Sequence, residues 1–113
     1  MKLTLVKAIK SLEAHRAGFP APCHESAFAQ LFQHGTMEIE IYRPEGKDLQ
    51  QPHEQDEIYF IASGSSQFEH EGAIEDVETG DVLFVAAGEH HSFMNFSADF
   101  STWVVLFGPK GGE

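Results

Sequence analysis

Two imidazoles, a carboxylate and an amide stand at spacings that suit metal chemistry in this 113-residue chain. In Gln51-Pro52-His53-Glu54-Gln55-Asp56-Glu57 a histidine and a glutamate lie four residues apart, and a further histidine, His91, follows the glycine turn at Gly88. Two imidazole nitrogens and one carboxylate leave open positions on an octahedral ion, a set that suits Fe(II), Mn(II), Ni(II) or Zn(II). On a straight strand His53 and Glu57 would stand roughly 13 Å apart, too far to share an ion at ~2 Å, so the chain must reverse between them. The polar run Glu54-Gln55-Asp56 followed by Ile58-Tyr59-Phe60-Ile61 predicts an antiparallel hairpin that sets His53 opposite Glu57.

Around this set stand four weaker candidates. Gln51 has the parity to point inward beside His53, as a neutral fourth ligand or a holder of a metal-bound water; a loop amide facing solvent is the equal alternative. His90 points opposite to His91 if both lie in a strand, which makes it a rim residue. His70 shares strand parity with Phe68 and, with Tyr59, is a candidate catalytic group in a cavity, although a partly exposed strand histidine needs no such role. Phe68, Phe84, Phe93 and Trp103 join Tyr59 as candidate cavity walls whose ordinary role is core packing.

The elements that must position these groups are short strands. Residues 27–32, 37–41, 57–62, 65–70, 74–77, 82–85, 91–96 and 102–107 have strand patterns, with turns at His34-Gly35, Glu71-Gly72 and Gly80-Asp81. Met37, Ile39 and Ile41 alternate with Glu38, Glu40 and Tyr42, the pattern of a half-buried strand with one wet face. Strand 57–62 carries Glu57, Tyr59 and Ile61 on one face and Ile58, Phe60 and Ala62 on the other, both largely apolar. Leu3 and Leu5 alternate with Lys2 and Thr4, predicting an edge strand over 1–9, then a short helical turn over 8–17 and an irregular linker over 18–26.

Residues 46–95 resemble the paired motifs of the cupin superfamily. His53, Glu57 and Gly64 fall on the second histidine, the glutamate and the closing glycine of its first motif; Gly80, Gly88, His91 and Asn95 match its second. Gln51 stands where a first histidine is expected, Ala86 where a proline is expected, and Gly46 lies one residue closer than usual. The resemblance implies an all-β double-stranded β-helix, a jelly-roll barrel over 27–107, with an N-terminal extension and linker over 1–26 and a flexible tail over 108–113. It also implies a divalent ion on His53, Glu57 and His91, with Gln51 completing or tuning the shell.

Eighteen acids against seven bases give −11, a surface that repels nucleic acid and anionic membranes. No segment reaches the length of a membrane span or signal core, and the single Cys23 agrees with a reducing compartment, so a cytoplasmic location is expected. The functional expectation is a metal-dependent enzyme, dioxygenase-like or isomerase-like, acting on a small chelating acid, enediol or aromatic held in the barrel. The alternative is a non-catalytic binding or sensory module on the same scaffold. Apolar residues on both faces of strand 57–62 also predict a homodimer, with residues 1–9 as an exchanged strand.

Overall fold

The computed structural model describes all residues, 1–113. Its strands are β1 (Phe28–His34), β2 (Met37–Tyr42), β3 (Asp56–Ser63), β4 (Ser65–His70), β5 (Ala73–Glu78), β6 (Val82–Val85), β7 (His91–Met94) and β8 (Ser101–Phe107). They form two antiparallel sheets, β1-β2-β8-β3-β6 and β5-β4-β7, facing each other as in a jelly roll. No ladder runs from one sheet into the other, so the barrel is closed by side chains: Tyr42, Tyr59, Phe68, Phe93, Phe100 and Leu106 meet between the sheets. Tyr59 and Phe93 pack edge-to-face with ring centroids 5.1 Å apart.

Two glycine positions show why the motif spacing holds. At the β3–β4 crossing Gly64 has φ +74°, and a Cβ there would stand 2.4 Å from Ser97 Oγ and 2.8 Å from the Phe100 Cα, so the strand can change sheets only without a side chain. Glu71 and Gly72, at φ 49° and 88°, make the tight β4–β5 hairpin expected from the sequence.

The N-terminus departs from expectation. Residues 1–9 form no strand; α1 (Leu5–Arg16) begins at Thr4, whose hydroxyl caps the helix by accepting from the Lys7 N–H. The Leu3/Leu5 alternation is two residues long, whereas Leu5, Ala8, Ile9 and Leu12 recur at helical spacing, and the longer pattern wins. Those residues pack on Ala29, Leu31, Ile41 and Trp103. That contact reverses the reading of β2 as well. Its apolar residues Ile39 and Ile41 face outward toward the helix side, while Glu38, Glu40 and Tyr42 pair with Leu106, Val104 and Thr102 on the inner side, where Val104 and Leu106 belong to the core. The face expected to be wet is turned into the barrel.

The same parity moves two aromatic residues. Val85, paired with Glu57, is buried, so its neighbour Phe84 points outward and is 55% exposed. Trp103 pairs with Ile41 and Phe60 on the outer face and packs against the α1 cluster. Neither is a cavity wall, whereas Tyr59, Phe68 and Phe93 lie inside. Residues 108–113 fold back on the start of β3: the Glu113 N–H donates to Asp56 Oδ2 and the Gly111 N–H to the Glu54 carbonyl.

Candidate metal centre

Three elements deliver the expected triad. Glu57 lies in β3 between β6 and β8, paired with Val85 and Leu106, and its side chain is 1% exposed. His91 opens β7 in the opposite sheet and faces it across the barrel. His53 arrives by a different route from the one expected. It lies outside any strand, and the chain bends at Glu54-Gln55 instead of forming a hairpin. Its carbonyl accepts from the Gly88 N–H at 2.8 Å, in the loop before His91, while the Gln55 side chain donates to the carbonyls of Thr36 and Gly108. Backbone and amide contacts thus hold the reversal that the sequence assigned to strand pairing.

The ligand atoms of His53, Glu57 and His91 all lie within 4.8 Å of one another. His91 Nε2 is 2.8 Å from Glu57 Oε1 and His53 Nε2 is 3.7 Å from Oε2, yet neither buried carboxylate oxygen receives a hydrogen bond of good geometry. A carboxylate buried in that state is costly without a cation, and two imidazoles with one such carboxylate are a donor set that fits a divalent ion. His91 Nδ1–H donates to the Glu89 carbonyl at 2.9 Å, which fixes the ring and aims Nε2 at the site. Burial alone would lower the His91 pKa, but the close approach and negative charge of Glu57 outweigh it and the net shift is upward. Burial lowers the His53 pKa, partly opposed by Glu57, and so favours the neutral ligand form.

The other candidates separate. Tyr59 is fully buried with its hydroxyl 2.9 Å from His91 Nε2 and donating to Gln50 Oε1 at 2.9 Å. Burial, then the charge of Glu57, raises its pKa well above 10, so it serves as a hydrogen-bonding group that keeps its proton. Gln51 is exposed; the amide that reaches the Tyr59 hydroxyl beside the site belongs to its neighbour Gln50. His70 pairs with His91 across β4–β7, but its Nε2 is held at 2.9 Å by Glu89 Oε1 on the rim. His90 is exposed.

Sequence reasoning missed Asp48, Gln50 and Glu40. Buried Asp48 accepts from the Tyr42 hydroxyl, the Gln50 backbone and side-chain amides and the Phe93 N–H, and so carries an ordered chain through Gln50 and Tyr59 to His91. No local pattern in the loop sequence marks it. Glu40 lines both an open cavity of about 640 Å³ and a small pouch of about 30 Å³ beside His53. Burial, helped by repulsion from Glu38 and Glu57, pushes its pKa from 4.5 up to about 7. Its signal was present in the β2 alternation, and recognising α1 as a helix would have turned that face inward.

A family model described as Cupin domain matches residues 38–107. The uncharacterised protein SCO3923 of Streptomyces coelicolor is 32% identical over 104 residues, covering 90% of this chain and 94% of its own. Among solved structures, a putative mannose-6-phosphate isomerase from Ralstonia eutropha is 26% identical with a TM-score of 0.57, over 79% of this chain and 85% of that one. The DMSP lyase DddQ from Ruegeria pomeroyi is 24% identical with a TM-score of 0.60, over 73% of this chain and 46% of its own. With its jelly-roll sheets, its two glycine-bounded motifs and a family match over most of its length, this chain belongs to the cupin family.

Proposed function

We propose that this cupin binds a divalent ion through His53, Glu57 and His91 and acts on a small chelating substrate, an enediol, a catechol-like aromatic or an organic acid, in a dioxygenase-like or isomerase-like reaction. The observation that supports this best is the Glu57 carboxylate, buried between two imidazoles with no hydrogen bond of good geometry to either oxygen. A bound divalent ion would supply Lewis-acid polarisation of a chelated oxygen pair or, if redox-active, reaction with O2. Around it the protein contributes fixed geometry. Asp48 orients the Gln50 amide, Gln50 fixes the Tyr59 hydroxyl, and Glu89 sets the His91 ring through its carbonyl. The named relatives include an isomerase and a lyase, so they leave the reaction class open.

The test is metal analysis of protein purified without chelators, followed by product detection and oxygen uptake with chelating diols and acids. About one ion per chain, lost in His91→Ala, supports the site. Turnover separates an enzyme from a binding or sensory module built on the same triad, and metal retained undiminished in both His53→Ala and His91→Ala would overturn the assignment. A cytoplasmic location fits the free thiol of Cys23.

Assembly belongs to the same reading. On the outer face of β3 and β6, Phe60, Val82 and Phe84 are 42%, 58% and 55% exposed, next to Ile58. A homodimer covering this face, with at least ~1,200 Å² buried in total, accounts for it. Residues 1–9 offer no strand to exchange, because residues 5–16 are helical and docked on their own sheet, so the interface is assigned to β3 and β6 instead.

A further inference from the structure

Next to the triad, His24, Phe28, Glu40, Gln50, His53 and Tyr59 border a pouch of about 30 Å³, room for one water-sized group. Two of its polar groups have no partner in the protein. The Nδ1 of His24 is buried and unpaired, and Glu40, nine-tenths buried, makes no hydrogen bond or ion pair in the protein and turns its carboxylate to the open cavity. A ring nitrogen buried in this state is costly unless something in the pouch satisfies it. The pouch shares Phe28, Glu40 and His53 with the open cavity of about 640 Å³, so a ligand that fills the opening and reaches His53 passes directly over it.

The chemistry of the two unpaired groups narrows what fits. A hydroxyl can donate its proton to the Glu40 carboxylate and accept from His24 Nδ1–H at the same time. A carboxylate can accept from His24 Nδ1–H but meets the ionised Glu40 as a like charge; an ammonium, which has no lone pair, cannot accept from that tautomer of His24. Charge in the opening points the same way. Glu38, Glu40 and Glu54 line it against one cation, Lys110, which is itself 3.5 Å from Glu54. An anionic ligand would have no free cation to meet beyond the triad.

We propose that Glu40 and His24 form a hydroxyl-binding pouch beside the triad, and that the ligand of this cavity is an uncharged polyhydroxy compound, with carboxylates and phosphate esters disfavoured. The inference rests on the metal reading of the triad and chooses, within that reading, the enediol or catechol-like class over organic acids.

The test uses three matched probes on Ni(II)-loaded protein under anaerobic calorimetry at about pH 8.5, where Glu40 is ionised: catechol, pyrogallol, which adds a hydroxyl beside the chelating pair, and 2,3-dihydroxybenzoate, which places a carboxylate there. Wild-type protein should bind pyrogallol about tenfold more tightly than catechol, the worth of one good hydrogen bond. It should bind 2,3-dihydroxybenzoate at least about tenfold more weakly than catechol. In Glu40→Gln the advantage of pyrogallol should shrink and the penalty on the carboxylate should largely vanish. Binding of 2,3-dihydroxybenzoate to wild-type protein as tightly as pyrogallol would overturn the inference, a result that needs no variant to fold. Unchanged ratios in Glu40→Gln would do the same. Metal content, measured on the same samples, keeps the two readings apart: loaded protein with the wrong ligand order refutes the pouch alone, whereas wild-type protein that takes up no metal refutes the triad and the pouch together.

Discussion

On the face of the five-stranded sheet turned toward the second sheet stand Glu38, Glu40, Tyr42, Glu57 and Tyr59, whereas the opposite face carries Ile39, Ile41, Ile58, Phe60, Trp103 and Phe84. Ile61, Val85, Val104 and Leu106 complete the inner face, so its titratable groups stand inside the main apolar core. The inner face keeps titratable groups where they are hard to solvate, the setting in which the proposed metal site lies. The outer face supplies the compensating burial. Across it run the rows Val82–Phe60–Trp103–Ile41–Ala29 and Phe84–Ile58–Val105–Ile39. Helix α1 covers the Ala29–Ile41–Trp103 end, and the Phe60–Val82–Phe84 end is left to solvent in the single chain. The inner face thus holds the titratable groups within the main core, the outer face holds the smaller apolar layer under α1, and substitutions on the two sides should fail in different ways.

The largest effect is expected on the inner face. His91→Ala should weaken divalent-ion binding by more than about a hundredfold in a competition titration, since even outer partners of metal ligands are worth roughly 10–100-fold. The circular dichroism of a folded barrel should persist. On the outer face, Leu12→Ala should instead lower stability by about 2–4 kcal/mol in urea denaturation, because Leu12 is fully buried under the sheet, and should leave metal affinity nearly unchanged.

Glu40 provides a pH signature. Its folded pKa of about 7 lies above the ordinary 4.5, so the folded state holds the proton more tightly than the unfolded chain. The contribution to stability is full below pH 4.5 and is lost as pH rises through about 7. It amounts to about 3 kcal/mol across that window for chelator-treated protein. Glu40→Gln, neutral throughout, should remove this slope, and identical pH profiles for the two proteins would place Glu40 in solvent.

Smaller changes are expected at the periphery. Phe84→Glu should convert dimer to monomer in sedimentation while leaving the stability of the isolated barrel within about 0.5 kcal/mol, as for other exposed positions. Persistence of the dimer would move the interface off β3 and β6. Gln51→His should alter metal affinity least of all, because its side chain is exposed. A clear tightening would show that Gln51 swings inward when metal binds.

The triad was legible in the sequence because its residues sit in glycine-bounded motifs whose spacing is set by backbone geometry, as the close approach at Gly64 shows. The strands from β1 to β8 were legible for a related reason: two-residue alternation and turn residues such as Glu71-Gly72 are local signals. Inside and outside were harder to assign. The alternation of Ile39 and Ile41 with Glu38 and Glu40 says that the two faces differ, but which one meets the other sheet depends on α1, a non-local contact. Reading residues 1–9 as a strand ahead of the helical turn expected over 8–17 therefore also hid Glu40 and misplaced Trp103. Asp48 and Gln50 were illegible for another reason. Their roles come from hydrogen bonds to Phe93 and Tyr59, 45 and nine residues away, made by a loop that has no periodic pattern.

The central claim is that His53, Glu57 and His91 hold one ion between the sheets. Its most direct test is an anomalous difference map from crystals of Ni(II)- or Zn(II)-loaded protein, collected at the absorption edge of the metal. The expected result is a single strong peak about 2.0–2.2 Å from His53 Nε2, His91 Nε2 and a Glu57 carboxylate oxygen. A loaded crystal whose peak lies elsewhere, or whose Glu57 remains paired only with His91, would contradict it.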